Sequence, residues 1–180
     1  MKRVYVVHGW GSSPKEPCIS WIREQLEKKG YTAEALIMPN TDTPVIKEWV
    51  EKLREVVQNP DRSTYFIGHS IGGQAIMRFL AGLPGGSKIG GVVFLASWFV
   101  LKALEDEEAE KIAKPWVDTP IDFESLKQKT SHYVIILSDD DPWVPVDTTK
   151  KQFEKNVGAK VIIEHHKGHF TEEDGITEVP

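Results

Sequence analysis

The sequence predicts an α/β fold, a three-layer α/β/α sandwich around a mostly parallel sheet of about six strands. Three observations carry this. Short apolar runs alternate with segments of helical periodicity along the chain. Most of the runs are continuously apolar, which marks strands covered on both faces. Polar and reactive side chains gather just after the runs, where ligands bind in such sheets. With 180 residues, 40% of them apolar, the chain is long enough for one sizeable core, so one domain over residues 1–180 is expected.

The runs that read as strands are Arg3–Val7, Thr32–Ile37, Thr64–Gly68, Gly91–Ala96, Tyr133–Leu137 and Lys160–Glu164. Helices fit between them. Ser13-Pro14-Lys15-Glu16 reads as a capping box with proline at the first helical position, opening a helix that stops at Gly30. A second starts at Thr43-Pro44. Its apolar residues recur at spacings of three and four, from Val45 to Val57, and Asn59-Pro60 ends it. A third follows Ser70 and breaks at Leu83-Pro84-Gly85-Gly86. An acidic, weakly amphipathic helix is expected over Val100–Ala113, with short helices near Asp122–Gln128 and Asp147–Asn156. Right-handed crossovers then give a doubly wound sheet.

Charge and composition exclude several classes. The formal charge is −5 and no basic stripe occurs, against a nucleic-acid partner. No apolar run reaches the roughly 18 residues of a membrane span. After Met1-Lys2-Arg3 the apolar run is only Val4–Val7, short of the about 7–15 residues of a signal h-region. The single cysteine, Cys18, permits no internal disulfide and reads as a buried hydrophobe. A cytoplasmic location fits. The acidic stretch Glu105–Glu110 reads as a solvated helix face.

The chemistry gathers at three places. Gly68-His69-Ser70-Ile71-Gly72 matches the G-x-S-x-G nucleophile elbow, directly after the apolar Tyr65-Phe66-Ile67 and at the start of an apolar helix. A serine on such a turn projects into the cleft, glycines two positions away let neighbouring backbones approach, and the Ile71 amide can hold an oxyanion. Asp141 follows the fifth strand in Ser138-Asp139-Asp140-Asp141-Pro142-Trp143, and His169 follows the sixth in Gly168-His169-Phe170, giving the chain order Ser, acid, His. Asp141 is favoured over Asp140 and Asp139 because Pro142 stiffens its turn. His8-Gly9-Trp10-Gly11 resembles the H-G-x-G loop that follows an early strand in hydrolases with such an elbow, and by that analogy the Trp10 amide is the second expected oxyanion donor. His69 reads as a packing residue behind the elbow, and His165 and His166 as strand-end surface residues. His165, His166 and His169 lack the helical spacing of a zinc motif, and a cation between Asp139 and Asp141 is the weaker reading of those carboxylates. No metal or cofactor is expected.

Taken together, these motifs resemble the small serine hydrolases that include retinoblastoma-binding protein nine and its bacterial relatives. The resemblance spans nearly the whole chain. It implies a compact α/β-hydrolase fold without a large lid, a triad of Ser70, Asp141 and His169, and carboxylesterase-like activity on small esters, thioesters or amides. Two departures stand out: no L-x-C-x-E motif is present, and little chain follows His169. Trp98, Trp116 and Trp143 are candidates for an acyl pocket. A non-catalytic binding module on the same fold and a metal-dependent hydrolase are the competing functions. Because a last strand is normally covered by a helix, the approach Thr177–Pro180 suggests that one follows, and an uncovered apolar patch among Val161, Ile162 and Ile163 is expected.

Overall fold

Six strands form one sheet in the computed structural model, which describes residues 1–102 and 104–179: β1 (Arg3–Val7), β2 (Thr32–Ala35), β3 (Thr64–His69), β4 (Gly91–Leu95), β5 (Tyr133–Ser138) and β6 (Lys160–Glu164). Their order is β2-β1-β3-β4-β5-β6 and every pairing is parallel. The helices are α1 (Pro17–Lys28), α2 (Ile46–Val56), α3 (Ile71–Ala81), α4 (Glu107–Asp118), α5 (Phe123–Lys129) and α6 (Val146–Val157). The order reverses between β1 and β3, so their carboxyl ends bound the crevice where ligands bind in open α/β sheets.

Alternate residues of the strands feed two cores. Tyr5, Val7, Phe66, Phe94 and Ile135 pack against Trp49, Ile76, Phe79, Leu126 and Phe153 of α2, α3, α5 and α6. A buried Phe such as Phe94 or Phe153 contributes about 1.5–3 kcal/mol. Val4, Val6 and Ile136 face the other way, against Cys18, Ile19 and Ile22 of α1. The segment after His169, almost without apolar character on paper, supplies Phe170, Ile176 and Val179 to this second core. The sheet is thus covered on both faces, as expected, but unequally. A groove of about 620 Å³, lined by Trp21, Ile67, Val93, Val134 and Ile162 among others, stays open on the α1 side.

Of the three residues expected to form an uncovered patch, Ile162 alone lines that groove. Val161 and Ile163 alternate to the opposite face and join the core containing α6, because strand side chains have a period of two. The expected helix approach ends at Pro180, which lies outside the described residues.

Helix starts are where the expectations shift most. α1 begins at Pro17 rather than after Ser13. Glu16 precedes a proline, which drives it out of the helical region (φ −48°, ψ 129°), and Ser13–Glu16 closes a turn through Glu16 N–H to Ser13 C=O at 3.1 Å. α4 is displaced toward the C-terminus of its expected range, which also takes in Ala103, outside the described residues. Asp106 caps it by accepting from the Ala109 amide at 2.8 Å. Glu107, Glu108 and Glu110 then fall in its first turn, where the helix dipole favours negative charge, so the acidic run is a helix start.

Candidate active site

Ser70 sits between the end of β3 and α3 with φ 52° and ψ −124°, a backbone that a non-glycine residue rarely adopts. Close packing over-determines it. The Ser70 amide donates to Leu95 C=O at 2.8 Å, and the Gly73 amide closes the turn onto Ser70 C=O at 3.1 Å. A Cβ on Gly68 would stand 2.6 Å from the Gly73 backbone, and one on Gly72 would stand 2.4 Å from Val7 C=O. The turn therefore exists only because both positions lack a side chain. Gly72→Ala must push α3 off β1. It is expected to cost about 1–3 kcal/mol, read as a lower urea midpoint with an unchanged m-value.

His169 and Asp141 meet across the ends of β6 and β5. Asp141 Oδ2 lies 2.8 Å from His169 Nδ1, and both side chains are buried, at 0% and 7% exposure. The other carboxylate oxygen, Oδ1, accepts from the Trp143 and Val144 amides, both at 2.9 Å. The ring of Trp143 stands edge-on to His169 at 4.9 Å. Ser70 Oγ does not hydrogen-bond His169; it accepts instead from the Trp98 indole N–H at 3.3 Å. The amides of Trp10 and Ile71 donate to no other group among the described residues. Both flank the β1/β3 crevice, and α3 directs its positive end there.

Asp139, Asp140 and Asp141 do three different jobs. Asp139 accepts from His165 Nδ1 at 2.5 Å and from the His166 amide at 3.1 Å. These bonds hold the Asp139 carboxyl below its usual range and raise His165. Asp140 Oδ1 accepts from Ser138 Oγ at 2.6 Å and from the Gly168 amide at 2.9 Å, which lowers its pKa in the same way. Asp141 alone points at His169. Asp139, Asp140 and His166 approach one another on the exposed surface. Asp141 and His169 stand apart from that group.

Two features were not singled out in the sequence. Asp174 Oδ2 accepts from the amides of His169 (2.8 Å) and Thr171 (3.1 Å), and a Cβ on Gly168, where φ is 50°, would collide with its carboxylate at 2.1 Å. The aspartate four positions after an H-F pair was the available signal. Glu16, freed from the expected cap, accepts from the Glu172 amide at 2.9 Å and ties the same segment to α1.

The remaining expected site residues separate. Trp98 is buried beside Ser70. Trp116 lies in the core: its ring meets Trp49 edge-on at 5.9 Å, its N–H donates to Pro44 C=O at 2.9 Å, and the Arg78 guanidinium lies over its ring at 5.6 Å. His8 is buried, with Nδ1 2.9 Å from Gly9 C=O and its ring against Trp49, and burial lowers its pKa. His165 and His166 are exposed. Cys18 is buried under α1, and burial pushes its thiol up to about 12, far from a reactive thiolate.

A parallel sheet of this order, carrying a serine on a G-x-S-x-G turn between β3 and α3, defines an α/β hydrolase. The chain belongs to the serine hydrolase family, whose model matches residues 4–180. It is 28% identical to YdeN of Bacillus subtilis (strain 168) over 179 residues, which cover 99% of this chain and 91% of that protein. It is 26% identical to the serine hydrolase RBBP9 of Rattus norvegicus over 165 residues, covering 91% and 78%. The crystal structure of the ydeN gene product superposes with a TM-score of 0.90 at 27% identity, over 100% of this chain and 94% of that one. Est1E from Butyrivibrio proteoclasticus shares the fold with a TM-score of 0.70 at 15% identity, covering 93% and 79%. No helix among the described residues is long and apolar enough to cross a membrane.

Proposed function

We propose that this hydrolase cleaves small carboxylic esters, thioesters or amides through an acyl-enzyme on Ser70. The observation that carries the reading is the buried 2.8 Å contact between Asp141 Oδ2 and His169 Nδ1, at the sheet edge where Ser70 sits on its strained turn. The carboxylate fixes the imidazole with its proton on Nδ1, leaving Nε2 as the base. His169 Nε2 takes the Ser70 proton as Oγ attacks the carbonyl carbon. The oxyanion that forms is received by the Trp10 and Ile71 amides. The proton passes from His169 to the leaving group, and a water activated by the same nitrogen releases the acid and restores Ser70. The Trp98 contact leaves the hydroxyl hydrogen free for His169. Hydrogen bonds of this kind commonly tighten only when substrate is bound.

Trp98 and Trp143 are the aromatic contacts proposed for the acyl group; Trp116 packs too deep in the core for that role. A relative in fold, Est1E, has been crystallised with ferulic acid bound, which supports a small carboxylic ester as substrate class. Among the described residues the segment placed to cap the site is Ser97–His132, which carries α4 and α5 and no larger insertion. Rates should therefore be higher on 4-nitrophenyl esters of about two to six acyl carbons than on longer ones, and should persist in EDTA because no step needs a metal. A kcat/KM that climbs steadily to dodecanoate, or activity lost to EDTA and restored by Zn²⁺, is the result that overturns this reading.

A further inference from the structure

His69 has no part in the chemistry proposed above, yet it bridges the residues that do. It is the last residue of β3 and the neighbour of Ser70 in the chain, and its ring is 2% exposed. Its Nε2 lies 2.7 Å from the backbone carbonyl of His169, and the two imidazoles pack with centroids 5.2 Å apart. A carbonyl can only accept, so Nε2 carries the proton and Nδ1 a lone pair. Nδ1 has no hydrogen-bond partner among the described residues, and a Cβ on Gly9 would stand 3.0 Å from it, so the ring is caged between the Trp10 loop and the His169 loop. An unpaired buried acceptor is a cost that an apolar side chain would avoid. What offsets it is the bond from Nε2.

We infer that His69 is a positioning residue, whose Nε2–H grips the His169 carbonyl and keeps the base in register with the nucleophile beside it. This rests on the serine-hydrolase reading of Ser70 and His169. The His169 loop has no regular structure to place it: Gly168 and Phe170, on either side, both have positive φ, 50° and 60°. Contacts from outside set its position: the buried Phe170 ring and hydrogen bonds to the loop backbone. Asp140 holds the Gly168 amide and Asp174 holds the His169 amide. Neither belongs to the turn that carries Ser70. Among the described residues only the His69 hydrogen bond ties the base to that turn directly, so a movement of β3 carries both reacting groups together.

The donor is also neutral. Burial, and then repulsion from His169, drive the His69 pKa down to about 3. A cationic donor at this place would oppose the imidazolium that His169 must become in the transition state; a neutral N–H holds the loop without that penalty.

The test compares His69→Leu, which removes the donor, with His69→Gln, whose side-chain amide reaches a similar distance. With folding checked by circular dichroism, His69→Leu should lower kcat on a short-chain ester by about 10- to 100-fold with KM within about twofold, since a displacement of about 1 Å is enough for such a loss. His69→Gln should recover most of it. A kcat for His69→Leu within threefold of the parent, or His69→Gln as impaired as His69→Leu, overturns the positioning role. Should His69→Leu fail to fold, ¹⁵N-histidine spectra of the unaltered protein decide: His69 must be the Nε2–H tautomer and must not titrate between pH 5 and 8, and an Nδ1–H tautomer or a titration there overturns the contact. The serine-hydrolase reading fails separately, if the unaltered protein neither turns over esters nor is labelled at Ser70 by a fluorophosphonate.

Discussion

Ser70→Ala and His169→Ala are each expected to lower turnover of an activated short-chain ester by about 10³-fold or more while the protein stays folded. Ser70→Ala removes the oxygen proposed to form the acyl-enzyme. The strained turn survives, because the glycines and backbone bonds that hold it are untouched. The indole N–H of Trp98 loses its acceptor, so a modest drop in melting temperature should accompany the loss of rate. His169→Ala removes the proposed base and leaves Asp141 buried, still bonded by the Trp143 and Val144 amides. Its fold should persist for that reason, with a larger loss of stability than Ser70→Ala. Fluorophosphonate labelling gives a second readout: none in Ser70→Ala, and a rate reduced in step with turnover in His169→Ala. Near-normal turnover by Ser70→Ala would exclude the proposed nucleophile.

The parts of the fold legible in the sequence were those set by local, additive signals. All six strands were expected within two residues of where they lie, because continuous apolar runs bounded by turns leave little freedom. The Gly68–Gly72 turn was legible for a related reason: its spacing meets a steric demand, and the backbones of Gly73 and Val7 show where that demand comes from. What could not be read were consequences of tertiary placement. Glu16 matched a capping pattern, but its neighbour Pro17 forbade the helical conformation there and left its carboxylate to bind the Glu172 amide. The segment after Phe170 looked polar because only Ile176 and Val179 in it are apolar, and both turn inward. Trp116 could not be sorted from Trp98 by type, since both are buried and differ in what their N–H faces, Pro44 C=O for the one and Ser70 Oγ for the other. Cys18 and His165, read as buried and exposed respectively, lie where their local patterns placed them.

Within the run of three aspartates, asparagine substitutions should separate the roles sharply. Asp141→Asn is expected to cost about 10²–10⁴-fold in kcat/KM with little change in fold. The geometry supplies the reason. Oδ1 accepts from two backbone amides, so an asparagine there keeps its carbonyl oxygen on Trp143 N and Val144 N. Its NH₂ must then face His169 Nδ1, and it donates where the carboxylate accepted. The ring is forced to carry its proton on Nε2, the position that should receive the proton of Ser70. Asp140→Asn is different. Its carbonyl oxygen can still accept from Ser138 Oγ and the Gly168 amide, so the base loop keeps its anchor and the loss should stay below about tenfold. Asp139→Asn gives up an exposed pairing with His165 and keeps an acceptor for the His166 amide, so it should change rate least. Steady-state kinetics of the three variants on one ester decide the order. A loss at Asp140 larger than at Asp141 would move the acid one residue toward the N-terminus, and equal losses at all three would mean that the carboxylates act only by shaping the loop.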